Sequence, residues 1–127
     1  MNRSLTTTLA ALTAGLLLSG SALACDYPDE EVALPNGATA TEADMLKARR
    51  EVKDYVERMQ VYLACVESGI ETAENKAKDE TLDQETRESA VGEARILSQK
   101  YDAAFEEISK VAAEFNAQRA AYLEAQE

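Results

Sequence analysis

Two cysteines, Cys25 and Cys65, are the residues of this 127-residue chain with the plainest covalent chemistry, and no histidine occurs anywhere in it. The missing histidine takes away the commonest general base and the commonest metal ligand together. No GxSxG turn, glycine-rich phosphate loop or DxDxDG calcium loop is present either. Carboxylates abound, as in Asp29-Glu30-Glu31 and Glu106-Glu107. Neighbouring acids on a helix point different ways, however, and solvation accounts for them better than catalysis. Tyr55, Tyr62, Tyr101 and Tyr122 recur at core spacing, which reads as packing with a wetted hydroxyl. Tyr27 alone stands outside that pattern. The sequence therefore names no catalytic residue, no cofactor and no metal ligand, and the expectation is a protein that is not an enzyme.

The use made of Cys25 depends on what precedes it. Arg3 is the only charge before an uncharged stretch from Ser4 to Ala24, whose apolar centre runs from Leu9 to Leu18. The stretch ends in Ala22-Leu23-Ala24, with small residues where a signal peptidase requires them. Thr6, Thr7, Thr8, Thr13, Ser19, Gly20 and Ser21 dilute it below what a resident membrane anchor needs. An export signal over residues 1–24, cut after Ala24, is expected. Cleavage makes Cys25 the first residue and raises two readings of it, a lipid anchor or a disulfide. A lipoprotein signal places Leu three residues before the cysteine, where this chain has Ala22. Cys65 is the one remaining cysteine, and an exported compartment favours oxidation, so a Cys25–Cys65 disulfide is the better account.

Residues 25–127 are strongly acidic. Of 13 Lys and Arg, Arg3 alone lies in 1–24, leaving 12 basic against 24 acidic side chains and a net charge of −12. That balance argues against nucleic acid and anionic lipid as partners, which call for a basic face. It suits a solvated helical surface.

The elements that position these residues follow from hydrophobic period. Residues 25–40 hold Pro28, Pro35 and Gly37 with no helical period and read as an extended arm, bending in a β-turn at Leu34-Pro35-Asn36-Gly37. Residues 41–127 read as a helical hairpin. Thr41-Glu42-Ala43-Asp44 resembles a capping box opening helix 1, expected over about 42–79. Its seam runs through Met45, Ala48, Val52, Tyr55, Met59, Tyr62, Val66, Gly69 and Ala73 in alternating steps of three and four, which is a heptad repeat. A second row, Val56, Leu63, Ile70 and Ala77, widens the apolar stripe. After a turn near residue 81, capped by Thr81 or Asp83, helix 2 over about 82–125 repeats the seam at Ala90, Ala94, Leu97, Tyr101, Ala104, Ile108, Val111, Phe115 and Tyr122. Gln118 is the one polar intruder, and Val91, Phe105 and Ala112 flank the seam. Pairs four apart, Asp54 with Arg58, Glu74 with Lys78 and Glu106 with Lys110, are expected on the outside.

The fold class is thus all-α, a long antiparallel two-helix hairpin resembling a coiled coil, with an N-terminal arm tied to helix 1. Folding about residues 81–82 sets Val66 against Leu97, Met59 against Ala104 and the small pairs Gly69 with Ala94 and Ala73 with Ala90 near the turn. Cys65 stands roughly 36 Å along helix 1 from Thr41, and the extended arm reaches about 50 Å, so the disulfide is within reach if the arm runs back along the helix. Tyr27, Val32 and Leu34 would then cover part of the stripe.

Three stretches, Cys25-Asp26-Tyr27-Pro28, Leu34-Pro35-Asn36-Gly37-Ala38-Thr39-Ala40-Thr41 and Tyr62-Leu63-Ala64-Cys65, together resemble a family of small exported proteobacterial proteins. The likeness covers the arm and the first half of helix 1. It implies a periplasmic helical protein with paired cysteines and carries over no catalytic residue. The expected role is accordingly an interaction or structural one in the periplasm or secreted, with Val56, Leu63 and Ile70 as the candidate contact surface for a second copy or another envelope protein. Weak cation binding by the acidic surface, an envelope-stress role and a lipid anchor on Cys25 are the alternatives.

Overall fold

The computed structural model describes residues 25–127. The expected export signal lies outside them. Two helices, α1 over Glu42–Lys78 and α2 over Gln84–Glu124, follow an arm with no regular structure and pack along their length as an antiparallel hairpin. At 1.5 Å per residue they are about 55 and 60 Å long. Among the described residues no helix is long and apolar enough to cross a membrane.

The start of α1 is fixed by side chains. The Thr41 hydroxyl accepts from the Asp44 backbone N–H at 3.2 Å, and the Asp44 carboxylate accepts in return from the Thr41 N–H at 3.0 Å. Two of the orphan donors of a helix end are thereby satisfied. These bonds hold the Asp44 carboxyl below its ordinary pKa, the Thr41 side chain contributing most. At the turn the cap of α2 is Asp83, whose side chain accepts from Thr86 N–H at 2.9 Å. Thr81 is not the cap. Its N–H and hydroxyl both donate to Asp79 Oδ1, so it closes the end of α1 instead.

The heptad seam of α1 is the core. Met45, Ala48, Val52, Tyr55, Met59, Tyr62, Val66 and Ala73 are all buried, with Met59 at 0% and Val66 at 1% exposed. On α2 only Ala90, Ala104 and Val111 are buried, while Leu97, Tyr101, Ile108 and Phe115 are half-buried against the same cluster. The difference has a cause: α1 is covered by α2 and by the arm, α2 chiefly by α1. A Cβ on Gly69 would stand 3.1 Å from the Leu97 side chain, so Leu97 fills the space that Gly69 leaves. Gly92 faces open space, with nothing within 4 Å of a Cβ placed there. Gly92→Ala is therefore expected to stabilise the hairpin by about 1 kcal/mol, the helix-propensity difference, as read from urea unfolding midpoints.

Three local expectations are corrected. The arm turns at Asn36–Thr39, closed by Thr39 N–H to Asn36 C=O at 3.1 Å, two residues later than Leu34–Gly37. Asn36 Oδ1 also accepts from Ala38 N–H at 3.1 Å, a bond that Asn makes readily at the head of a turn. Arg58 pairs with Glu30 of the arm at 2.8 Å rather than with Asp54, and Lys110 lies 4.0 Å from Glu107 rather than pairing with Glu106. Glu74 and Lys78 do pair, at 3.5 Å.

Candidate functional site

The disulfide is formed: Cys25 and Cys65 are bonded, their Cα atoms 5.7 Å apart, closing a separation of 40 residues. From that anchor the arm runs back along α1, and its side chains take up the hairpin's own groups. Tyr27 stacks edge to face on Tyr62 with ring centroids 5.1 Å apart, which gives the one tyrosine without a seam position its reason. Val32 and Leu34 pack on the core cluster. Gly37, buried, donates its N–H to Gln118 Oε1 at 2.8 Å across 81 residues. The polar intruder in the α2 seam is thus the receptor for the arm's turn.

Tyr55 lies under this arm, 4% exposed. Burial first, and the neighbouring Tyr27 hydroxyl after it, push its phenol up to about 12. The folded state then holds a proton that the unfolded chain, with an ordinary tyrosine pKa near 10, has released between those values. Stability is expected to fall with a slope approaching one proton as pH rises from about 10 to about 12. Tyr55→Phe should flatten that limb in urea titrations against pH.

Assigning Tyr55 and Tyr62 to heptad position d places Arg58 and Cys65 at g and Val56, Leu63 and Ile70 at e. In an antiparallel pair the two g rows share one side of the seam and the two e rows the other. The arm occupies the g side. Its clefts are shared with Lys47, Glu51, Arg58, Glu107 and Glu114, all at c or g, and with Tyr55 and Val111 at d. The one of largest volume, about 470 Å³ between Tyr27, Tyr55 and Glu107, is an open, mainly acidic trough.

The e side carries a different surface. The expected contact row does not stand free: Leu63 is 8% exposed and part of the core, and Val56 and Ile70 are half-buried against it. The e row is inclined toward the seam, so α2 itself covers much of it. What remains open comes from the other helix and the hairpin's open end. Val91 is 59% and Phe105 58% exposed, both at e of α2, and Leu46 and Leu123, at b, are 46% and 52% exposed. A cleft of about 430 Å³ at the open end lies on this same side, between Leu46, Arg49, Phe115, Arg119 and Tyr122. The flanking row of α2 was visible in the sequence, but only coordinates show that α1 leaves it open. Nothing in the spacing marked the Gly37–Gln118 bond.

The acidic groups are held locally. Asp79 and Asp83 have pKa values lowered by hydrogen bonds from Thr81 and Thr86, while Asp29, Glu30, Glu31 and Glu106 are exposed. Among the described residues no group of three or more His, Cys, Asp or Glu side chains converges to hold a metal ion. No family model matches this chain, and no curated protein or solved structure matches it either.

Proposed function

We propose that this is a non-enzymatic helical protein of an oxidising compartment outside the cytoplasm, which works by presenting the e side of its hairpin to another protein surface. The exposure of Val91 and Phe105 beside Val56, Leu63 and Ile70, on the face that the arm leaves open, carries the reading. Apolar surface gathered on one side of a small protein is the kind that marks a contact site. The other side is closed by a covalent strap, which supports a division of labour between a stabilised face and a working one. The disulfide itself supports an exported protein, because cytosolic thiols are kept reduced. It also speaks against a lipid on Cys25, since a thioether-linked lipid needs the same sulfur.

Photo-crosslinking in cells tests this. A photoreactive phenylalanine in place of Phe105 is expected to yield discrete protein adducts, and the same group in place of the outward-facing Ala113 to yield none. Equal labelling from both positions, or none from Phe105, would sink the proposal.

A further inference from the structure

The e side has a charge asymmetry along its length that points to its occupant. At positions e and b the open half carries Glu42, Arg49, Lys53 and Arg119, a balance of +2, and the half toward the turn carries Glu67, Glu74, Glu88, Asp102 and Arg95, a balance of −3. Against the net charge of −12 over residues 25–127 the basic end stands out. Phe105 lies near the midpoint of α2, which spans Gln84–Glu124, with apolar neighbours toward both ends. A surface net positive at one end and net negative at the other, with Phe105 at its middle, is complementary to itself when reversed.

We infer that a second copy of this chain docks on this face, antiparallel, with Phe105 of each copy at the two-fold axis and the basic open end of one hairpin over the acidic turn end of the other. The inference rests on the interaction reading above and names its partner. Such a contact is isologous, the arrangement that closes a dimer and leaves no surface free to propagate. It makes a four-helix bundle, each hairpin supplying one layer. In the register of the hairpin Phe105 stands level with about residue 58 of α1. An axis there places Arg49, nine residues to one side, opposite Glu67, nine residues to the other, and brings Arg119 over Val91 and Glu88. The area suffices: a face about 55 Å long and about 20 Å wide offers roughly 1,000 Å² per copy, against about 800 Å² in a standard interface. Large aromatics at the centre of such patches carry a disproportionate share of the affinity. Salt should weaken the pairing of the ends and spare the centre.

Sedimentation equilibrium on the intact, disulfide-linked protein is the test. The unsubstituted chain is expected to dimerise. Phe105→Glu should raise the dissociation constant by roughly thirtyfold or more, with an unchanged circular dichroism spectrum because the side chain is already 58% exposed. Arg49→Glu should weaken the dimer by about tenfold, and adding Glu67→Arg should restore it. A parallel dimer would bring the two basic open ends together and show no such rescue. A strict monomer, a dimer indifferent to Phe105→Glu, or a failed rescue each overturns the inference. A monomer whose position 105 still crosslinks to other proteins removes the second copy alone, whereas silence at position 105 removes the interaction reading as well.

Discussion

Removing the disulfide, as Cys25→Ser with Cys65→Ser or by reduction, is expected to lower the stability of the hairpin by about 4 kcal/mol and its melting temperature by roughly 20 °C. The bond closes a separation of 40 residues, and in the chain-entropy model a loop of that length restricts the unfolded chain by that amount. The loss is large relative to the whole, since a domain of this size has only about 5–15 kcal/mol to lose. A two-helix hairpin has one seam and no second layer, so little else replaces it.

Reduction also loosens contacts. Without the bond, the arm is held by the Glu30–Arg58 pair, the Tyr27–Tyr62 stack and the Gly37–Gln118 hydrogen bond. The pair is surface-exposed and worth at most about 1 kcal/mol. The arm should therefore detach before the helices melt, uncovering Tyr55 and Val111 and returning the Tyr55 phenol toward its ordinary pKa. Thermal melts followed by circular dichroism, with and without reductant, check the first part, and limited proteolysis at Tyr27 checks the second. A melting temperature that moves by only a few degrees would mean that the arm is held by its non-covalent contacts and that the strap is redundant.

Much of this architecture was legible because it is periodic. The seams from Met45 to Ala73 and from Ala90 to Tyr122 repeat every seven residues, and with the cap and turn signals they gave both helices to within two residues at their ends. Thr41 with Asp44 and the lone cysteine partner were equally readable, being a local motif and an elimination. What resisted reading was non-local. Nothing in the chain near Gln118 says that its amide faces a glycine 81 residues away, so it registered only as a break in the seam. Arg58 has an acid four residues before it at helical spacing, and the tertiary partner Glu30 won because the arm passes within reach. The burial of Leu63, and the partial burial of Val56 and Ile70, went unread for the same reason. Val56, Leu63 and Ile70 are apolar enough to be a surface or a core, and the distinction lies in tertiary packing, which places Leu63 in the core cluster with Val56 and Ile70 against it. Val91 and Phe105 are left outside.

Gly37→Ala is expected to destabilise the protein by about 2–3 kcal/mol, against the sign that a reading of the arm alone would give. Gly37 lies in a turn and no described glycine has a positive φ, so alanine is conformationally tolerated. On unfolded-state entropy the substitution should stabilise by about 0.4–1 kcal/mol. Packing decides otherwise. A Cβ on Gly37 would overlap the backbone carbonyl of Gln118 and stand 3.0 Å from the Tyr122 nitrogen, both in the hydrogen-bonded frame of α2. A side-chain tip can swing away from such a collision, but a helix backbone cannot, and overpacking of this kind costs about 1–3 kcal/mol, occasionally more. The collision must be relieved by lifting the turn off α2, which also gives up the Gly37–Gln118 hydrogen bond. Gln118→Ala separates the two effects: it removes the acceptor and leaves the close approach, at a cost of about 1 kcal/mol. Urea unfolding of both variants gives the ordering. If Gly37→Ala were the milder of the two, or stabilising, the turn would not be seated on α2, and the arm would end functionally at the disulfide and Tyr27.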